Sequence, residues 1–139
     1  MNKYLGLDLG SKTLGISIST SGIIASNLET YRFTEDNYEE AVNYLVTLIE
    51  KHQITHVILG LPRHMNNDLG IRGEISVSFK ECLESKSNVE VILWDERLST
   101  KQALDTLIKG SVRRDKQKKL KDELAATIIL QNYLNSINK

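Results

Sequence analysis

Three acidic positions in this chain are of a type, and in a setting, that could do chemistry. Asp8 breaks the apolar alternation of Leu5-Gly6-Leu7-Asp8-Leu9-Gly10, with a glycine two residues away on either side. Glu96, preceded by Asp95, follows directly on the apolar run Val89–Trp94. Asp122 opens a helix-like segment in which Ala125 and Ala126 follow three and four residues later. Carboxylates brought to one point repel each other and resist desolvation, at a cost of several kcal/mol. A hard divalent cation removes that cost, because magnesium and manganese take oxygen ligands. Each acid also has a plainer reading. Asp8 can form a turn before Gly10, Asp95-Glu96-Arg97 can be a solvated turn, and Asp122 can complement a helix dipole. Spacing along the chain does not bring the three together.

The basic residues add a second theme. Lys109, Arg113, Arg114, Lys116, Lys118, Lys119 and Lys121 cluster against one acid, Asp115. Such a run can grip phosphates without reading sequence, or be a solvated loop. Lys12 and Arg97 lie next to the candidate acids. The overall charge is balanced, 18 basic against 18 acidic residues, which argues against a generic electrostatic coat for DNA. The single cysteine, Cys82, excludes an internal disulfide and fits a reducing compartment. Cys82 reads as a packing residue, and His52, His56 and His64 stand at no zinc-like spacing from it. Trp94, inside an apolar strand, reads as core rather than as a base-stacking platform.

The elements that must position these residues follow from periodicity. Leu5, Leu7 and Leu9 alternate with a period of two, and Leu14, Ile16 and Ile18 repeat the pattern after a Ser11-Lys12-Thr13 turn. Ser21-Gly22 marks a second turn, and Ile23 to Phe33 can carry a third strand. Asp36 with Glu39 resembles a capping box for a helix whose Ala41, Leu45, Leu48 and Ile49 share one face. Thr55 to Leu59 reads as a buried parallel strand ended by Gly60, followed by a loop from Leu61 to about Gly70. Ile75, Phe79 and Leu83 predict a second helix, and Val89 to Trp94 the next buried strand. Ser99 with Gln102 predicts a capped helix through about Ile108, then the basic segment, then a last helix from about Lys119 to Asn135. The order β-β-β-α-β-α-β-α-α predicts one α/β domain over residues 1–139. It is a mixed five-stranded sheet, an antiparallel meander followed by parallel strands, with helices on both faces, in the order of the ribonuclease H-like fold. Ligands in open α/β sheets collect beyond the carboxyl ends of the strands, where Asp95 and Glu96 fall. Adjacent strand residues face opposite ways, so only one of that pair can share a face with Asp8.

The motifs together resemble a known family. Leu5 to Lys12, Gly60-Leu61-Pro62 with Met65, Gly70, Arg72 and Phe79, and Asp95 to Thr100 with Ala103 match its motifs in order, as do Asp122, Ala125-Ala126, Ile129 to Gln131 and Tyr133-Leu134. The resemblance is to the YqgF-type family of Holliday junction resolvase-like and pre-16S rRNA nucleases, and it covers nearly the whole chain. One departure is Asn67, where the family usually carries glycine; asparagine tolerates a left-handed backbone better than most residues. The resemblance implies a metal-dependent nuclease, with Asp8, Glu96 and Asp122 as catalytic and metal-binding residues and Mg2+ or Mn2+ as the cofactor. Two bound metals would stand about 3.5–4 Å apart across the scissile phosphate. Lys12, Arg97, Arg113, Arg114, Lys116, Lys118 and Lys119 would bind nucleic acid. The implied substrate is the 5′ end of precursor 16S rRNA, with ribosomal particles as partners, or else branched DNA in recombination and repair.

Two other classes compete. Asp8-Leu9-Gly10-Ser11-Lys12 also resembles the phosphate loop of actin-like ATPases and sugar kinases, which need two such domains where this chain has room for one. A non-catalytic RNA-binding ribosome-assembly factor would keep the basic run and not need all three acids. Met1-Asn2-Lys3-Tyr4-Leu5-Gly6 lacks the apolar stretch of a signal peptide, and no apolar run could span a bilayer, so a cytoplasmic monomer or homodimer without membrane association is expected.

Overall fold

The computed structural model describes residues 2–61, 70–95 and 114–138, with side chains described over 2–60, 73–94 and 124–138. Its elements are β1 (Tyr4–Leu9), β2 (Thr13–Ser19), β3 (Ser26–Arg32), α1 (Tyr38–His52), β4 (His56–Leu61), α2 (Gly70–Lys86), β5 (Glu90–Asp95) and α3 (Arg114–Ile137). The predicted helix from Ser99 to about Ile108, the loop positions Pro62 to Leu69, and Lys109 to Arg113 lie outside the described residues.

The strands form one sheet in the order β3-β2-β1-β4-β5. β1, β2 and β3 pair antiparallel, while β4 pairs parallel with both β1 and β5. The mixed sheet predicted from the sequence is therefore present, with β1 at its centre. Period-two alternation gives each face its own cover. Leu5, Leu7, Leu9, Leu14, Ile16, Val57, Leu59 and Val91 join Ala41, Val42, Leu45, Phe79 and Leu83 from α1 and α2 in one core. Tyr4 and Ile58 join Ile129, Leu130 and Leu134 of α3 in the other. Each fully buried leucine or isoleucine contributes roughly 1.5–3 kcal/mol. Among the described residues no helix is long and apolar enough to cross a membrane.

Several element boundaries differ from the sequence reading, each for a local reason. The cap of α1 is Asn37, not Asp36: the Asn37 side chain accepts from the Glu40 N–H at 3.4 Å. Asp36 instead takes a left-handed backbone with φ of 61°, a conformation that Asp tolerates. Glu40 accepts from the Thr34 N–H and the Tyr31 hydroxyl, so the predicted partner Glu39 closes no capping box. Gly60 does not end β4; it pairs with Trp94, and the strand continues to Leu61. The third strand begins at Ser26, leaving Ile23 and Ile24 exposed in the preceding loop. The last helix begins at Arg114 rather than Lys119. Arg, Lys, Gln and Leu are strong helix formers, and Asp115 with Lys119 is a favourable pair four residues apart, so the basic run from 114 onward is helix, not loop.

A tyrosine pair ties the exposed edge strand β3 to α1. Tyr31 and Tyr44 stack with centroids 4.0 Å apart, and the Tyr44 hydroxyl donates to Glu29 at 2.5 Å. That bond, with partial burial and the Glu29 and Tyr31 charges, pushes the Tyr44 pKa up to about 12. A raised pKa means the folded state holds its proton more tightly than the unfolded chain does. Its contribution is complete below the unfolded value near 10 and is lost as pH rises towards 12. Thermal unfolding followed by circular dichroism should show Tyr44→Phe losing less stability than the unaltered protein between pH 10 and 12. Parallel losses would contradict this coupling.

Candidate active site

Asp8 is the penultimate residue of the central strand and faces α3, on the side of the sheet opposite α1 and α2. It is half-buried, and its carboxylate has no hydrogen-bond or ion-pair partner among the described residues. In register, Asp8 pairs with Gly15 of β2, and Gly15 pairs with Thr30 of β3. A Cβ built on Gly15 would lie 3.5 Å from the Asp8 Cβ and 3.6 Å from the Ala126 Cβ, so α3 crosses the sheet directly over this row.

The glycines flanking Asp8 do something other than leave room for an ion. A Cβ on Gly6 would stand 2.6 Å from the Leu130 Cβ and 2.8 Å from the Ala126 carbonyl oxygen, and it would also strike the Ser17 Oγ. Gly6 therefore permits a close approach of helix to sheet. Gly10 serves the β1–β2 hairpin, where its N–H donates to the Thr13 carbonyl at 2.7 Å. The row of small residues around Asp8 is thus, at Gly6, filled by the helix.

These contacts fix the direction of α3. Leu130 lies over Gly6, and Ala126 lies by Asp8 and Gly15, so the helix runs antiparallel to β1. Four helical residues rise about 6 Å, and two strand residues advance about 6.6 Å. The two repeats match, so the turn that precedes Ala126, which carries Asp122, continues towards the carboxyl end of β1. Across more than a hundred residues of chain, α3 thus sets Ala126, one turn after Asp122, beside the Asp8–Gly15 pair. Asp95 ends β5, two strands from β1, and its side chain is not described; Glu96 and Arg97 lie outside the described residues. Among the described residues no group of three or more His, Cys, Asp or Glu is arranged to hold a metal.

Of the expected nucleic-acid contacts, Lys12 is exposed in the β1–β2 turn at the same end of the sheet as Asp8. Arg114, Lys116, Lys118 and Lys119 occupy the first turns of α3, on the N-terminal side of Asp122; Arg113 is outside the described residues. Three residues not singled out by the sequence reading border this region. Arg32, exposed, pairs with Thr13 beside Lys12. Gly15 is the cross-strand neighbour of Asp8, and Ser17 is wholly buried beneath α3. Glycine and serine within the apolar alternation of β2 were the available signal.

Other concave or aromatic features are separate. A cavity of about 400 Å³ between α1 and α2 is lined by Tyr38, Glu39, Val42, Glu74, Phe79 and Cys82 among others, on the opposite face, where two glutamates would repel phosphate. Trp94 is half-buried and meets Tyr133 edge-on with centroids 5.4 Å apart. Burial, then the neighbouring Tyr4 and Glu90, raises the Tyr133 pKa.

Comparison with known proteins gives this arrangement its context. A sequence model for the RuvX family, described as Holliday junction resolvase, matches residues 2–136. The chain belongs to the RuvX family. It is 53% identical over 137 residues, 98% of this chain and 91% of the other, to a protein of Onion yellows phytoplasma (strain OY-M) named "Putative pre-16S rRNA nuclease". A protein of the same name from Staphylococcus aureus (strain bovine RF122 / ET3-1) is 47% identical over 139 residues, covering 99% of this chain and 98% of its own. Among solved structures, Thermus thermophilus RuvC in complex with a Holliday junction substrate superposes with a TM-score of 0.65 at 13% identity, over 99% of this chain and 96% of that one. That likeness shows the fold, ribonuclease H-like as the element order predicted. Membership of RuvX makes the chain a nuclease, a hydrolase of phosphodiester bonds.

The glycines separate by function in a way that can be measured. Gly6→Ala should cost about 3 kcal/mol in chemical denaturation, since backbone and a Cβ must both move. Gly15→Ala, which meets only ordinary contacts, should cost less than about 1 kcal/mol. Equal costs would contradict the packing described.

Proposed function

We propose that this chain is a metal-dependent endonuclease that cleaves structured nucleic acid at the carboxyl end of β1, with Asp8, Glu96 and Asp122 as the residues that hold the metal. The carrying observation is Asp8 itself: a half-buried carboxylate on the central strand, without a partner among the described residues, beneath a helix whose preceding turn bears Asp122. A half-buried anion so placed is stabilised by a cation, and its oxygen donors suit Mg2+ or Mn2+. Ile92 and Trp94 of β5 pack on the α3 side that Asp8 faces, and the motif from Asp95 to Thr100 supplies Glu96 as the third ligand. What a bound divalent ion supplies here is neutralisation of the clustered charge and of the phosphate, together with a more acidic water.

The protein's own residues account for the rest. Lys12 and Arg32 form a cationic rim at this end of the sheet, suited to backbone phosphates on either side of the cut. Arg97, Arg113, Arg114, Lys116, Lys118 and Lys119 extend that grip without specifying sequence. The names of the phytoplasma and staphylococcal relatives favour precursor 16S rRNA as substrate; cutting at its 5′ end, in the cytoplasm and on ribosomal precursor particles, is our extension of that reading. The family description and the RuvC complex support branched DNA as the second reading.

Asp8→Asn should lower Mg2+- or Mn2+-dependent cleavage at least about 100-fold, beyond what loss of an outer-shell partner costs, while circular dichroism stays unchanged. Assays on precursor rRNA and on a four-way DNA junction, run side by side, decide the substrate. Full activity in Asp8→Asn on either would exclude this site.

A further inference from the structure

We propose that Ser17 is a positioning residue for the carboxylate site: its hydroxyl pins α3 at one height on the sheet and so sets where Asp122 stands relative to Asp8. This rests on the functional reading above. Ser17 is 0% exposed, so it reaches neither solvent nor substrate. Its hydroxyl donates to the Ala126 carbonyl at 2.7 Å, across 109 residues of chain, with the Gly6 carbonyl a longer acceptor at 3.3 Å. It pairs in register with Gly6, two residues before Asp8, and its bond to α3 lies one turn after Asp122.

A buried hydroxyl is costly where an apolar side chain would serve for packing alone. Around it, α3 is seated by the non-directional contacts of Ile129, Leu130 and Leu134, and its far end by hydrogen bonds between Gln131 and Ala25 and Ile23 and from Asn138 to the Gly22 carbonyl, away from Asp8. The O–H···O bond is directional and weakens steeply with misalignment. The missing Cβ of Gly6 sets how near α3 comes, and among the described residues Ser17 makes the hydrogen bond that sets its height nearest Asp8. Misplacement of a reacting group by about 1 Å can cost on the order of 100-fold in rate. That makes the axial setting of α3 a determinant of the site rather than a detail of the core.

The test compares the unaltered chain with Ser17→Ala and Ser17→Cys, the latter keeping the volume with a weaker donor. Leu48→Val on α1 is a control for general destabilisation on the other face. Calorimetric titration with Mn2+, without nucleic acid, should show affinity lowered about tenfold in Ser17→Ala, the amount a single buried hydrogen bond can carry, and less in Ser17→Cys. Leu48→Val should bind as the unaltered chain does. In metal-free protein, amide exchange should quicken at Ala126 to Leu130 in Ser17→Ala but not in β1. Unaltered Mn2+ affinity in Ser17→Ala overturns the proposal, and if that variant does not fold, unaltered affinity in Ser17→Cys does so. If the unaltered chain binds no Mn2+, the carboxylate reading falls first, and quickened exchange at Ala126 to Leu130 would then assign Ser17 to packing alone.

Discussion

Helix α3 lies against the sheet because one residue of the central strand has no side chain. Any Cβ at Gly6 would collide with Leu130 and with the Ala126 carbonyl, so the contact exists only with glycine there. Everything proposed for the site depends on this contact. It seats the last helix on the strand that carries Asp8, with Ala126 beside the Asp8–Gly15 pair. The sheet's two faces divide the work. One is a thick apolar core under α1 and α2 that holds β1 rigid, and the other is a thinner seam in which glycine, serine and alanine let backbone meet backbone.

That division explains why a carboxylate can sit on the central strand at all. On the α1 side an Asp at this depth would be wholly enclosed, as Leu7 and Leu14 are, and its desolvation would oppose folding. On the α3 side Asp8 is only half-buried, at the end of the strand. The ribonuclease H-like topology thus supplies the site with a rigid floor and an open end. The nuclease chemistry of the RuvX family is proposed for this end of the sheet.

Much of this was legible in the sequence. Alternating leucines marked β1, Leu14 with Ile16 and Ile18 marked β2, helical spacings marked α1 and α2, and Asp8 stood out because it broke a pattern. What was not legible depended on proximity. Gly6 reads as open space until Leu130 is seen to occupy it, and Ser17 reads as a neutral strand residue until its bond to Ala126 is seen. Asp36 looked like a cap because capping chemistry is shared with Asn37, and only the backbone, left-handed at 36, decides between them. The basic run looked like a loop because charge suggests solvent, whereas its residues are strong helix formers that extend α3 by more than a turn.

The central claim is that Asp8 and Asp122, carried to one end of the sheet by α3, share a divalent cation. Anomalous diffraction from crystals of this protein grown with Mn2+ tests it most directly. The account predicts an anomalous peak within coordinating distance of both carboxylates. A peak bound elsewhere, with Asp8 and Asp122 left unligated, would contradict it.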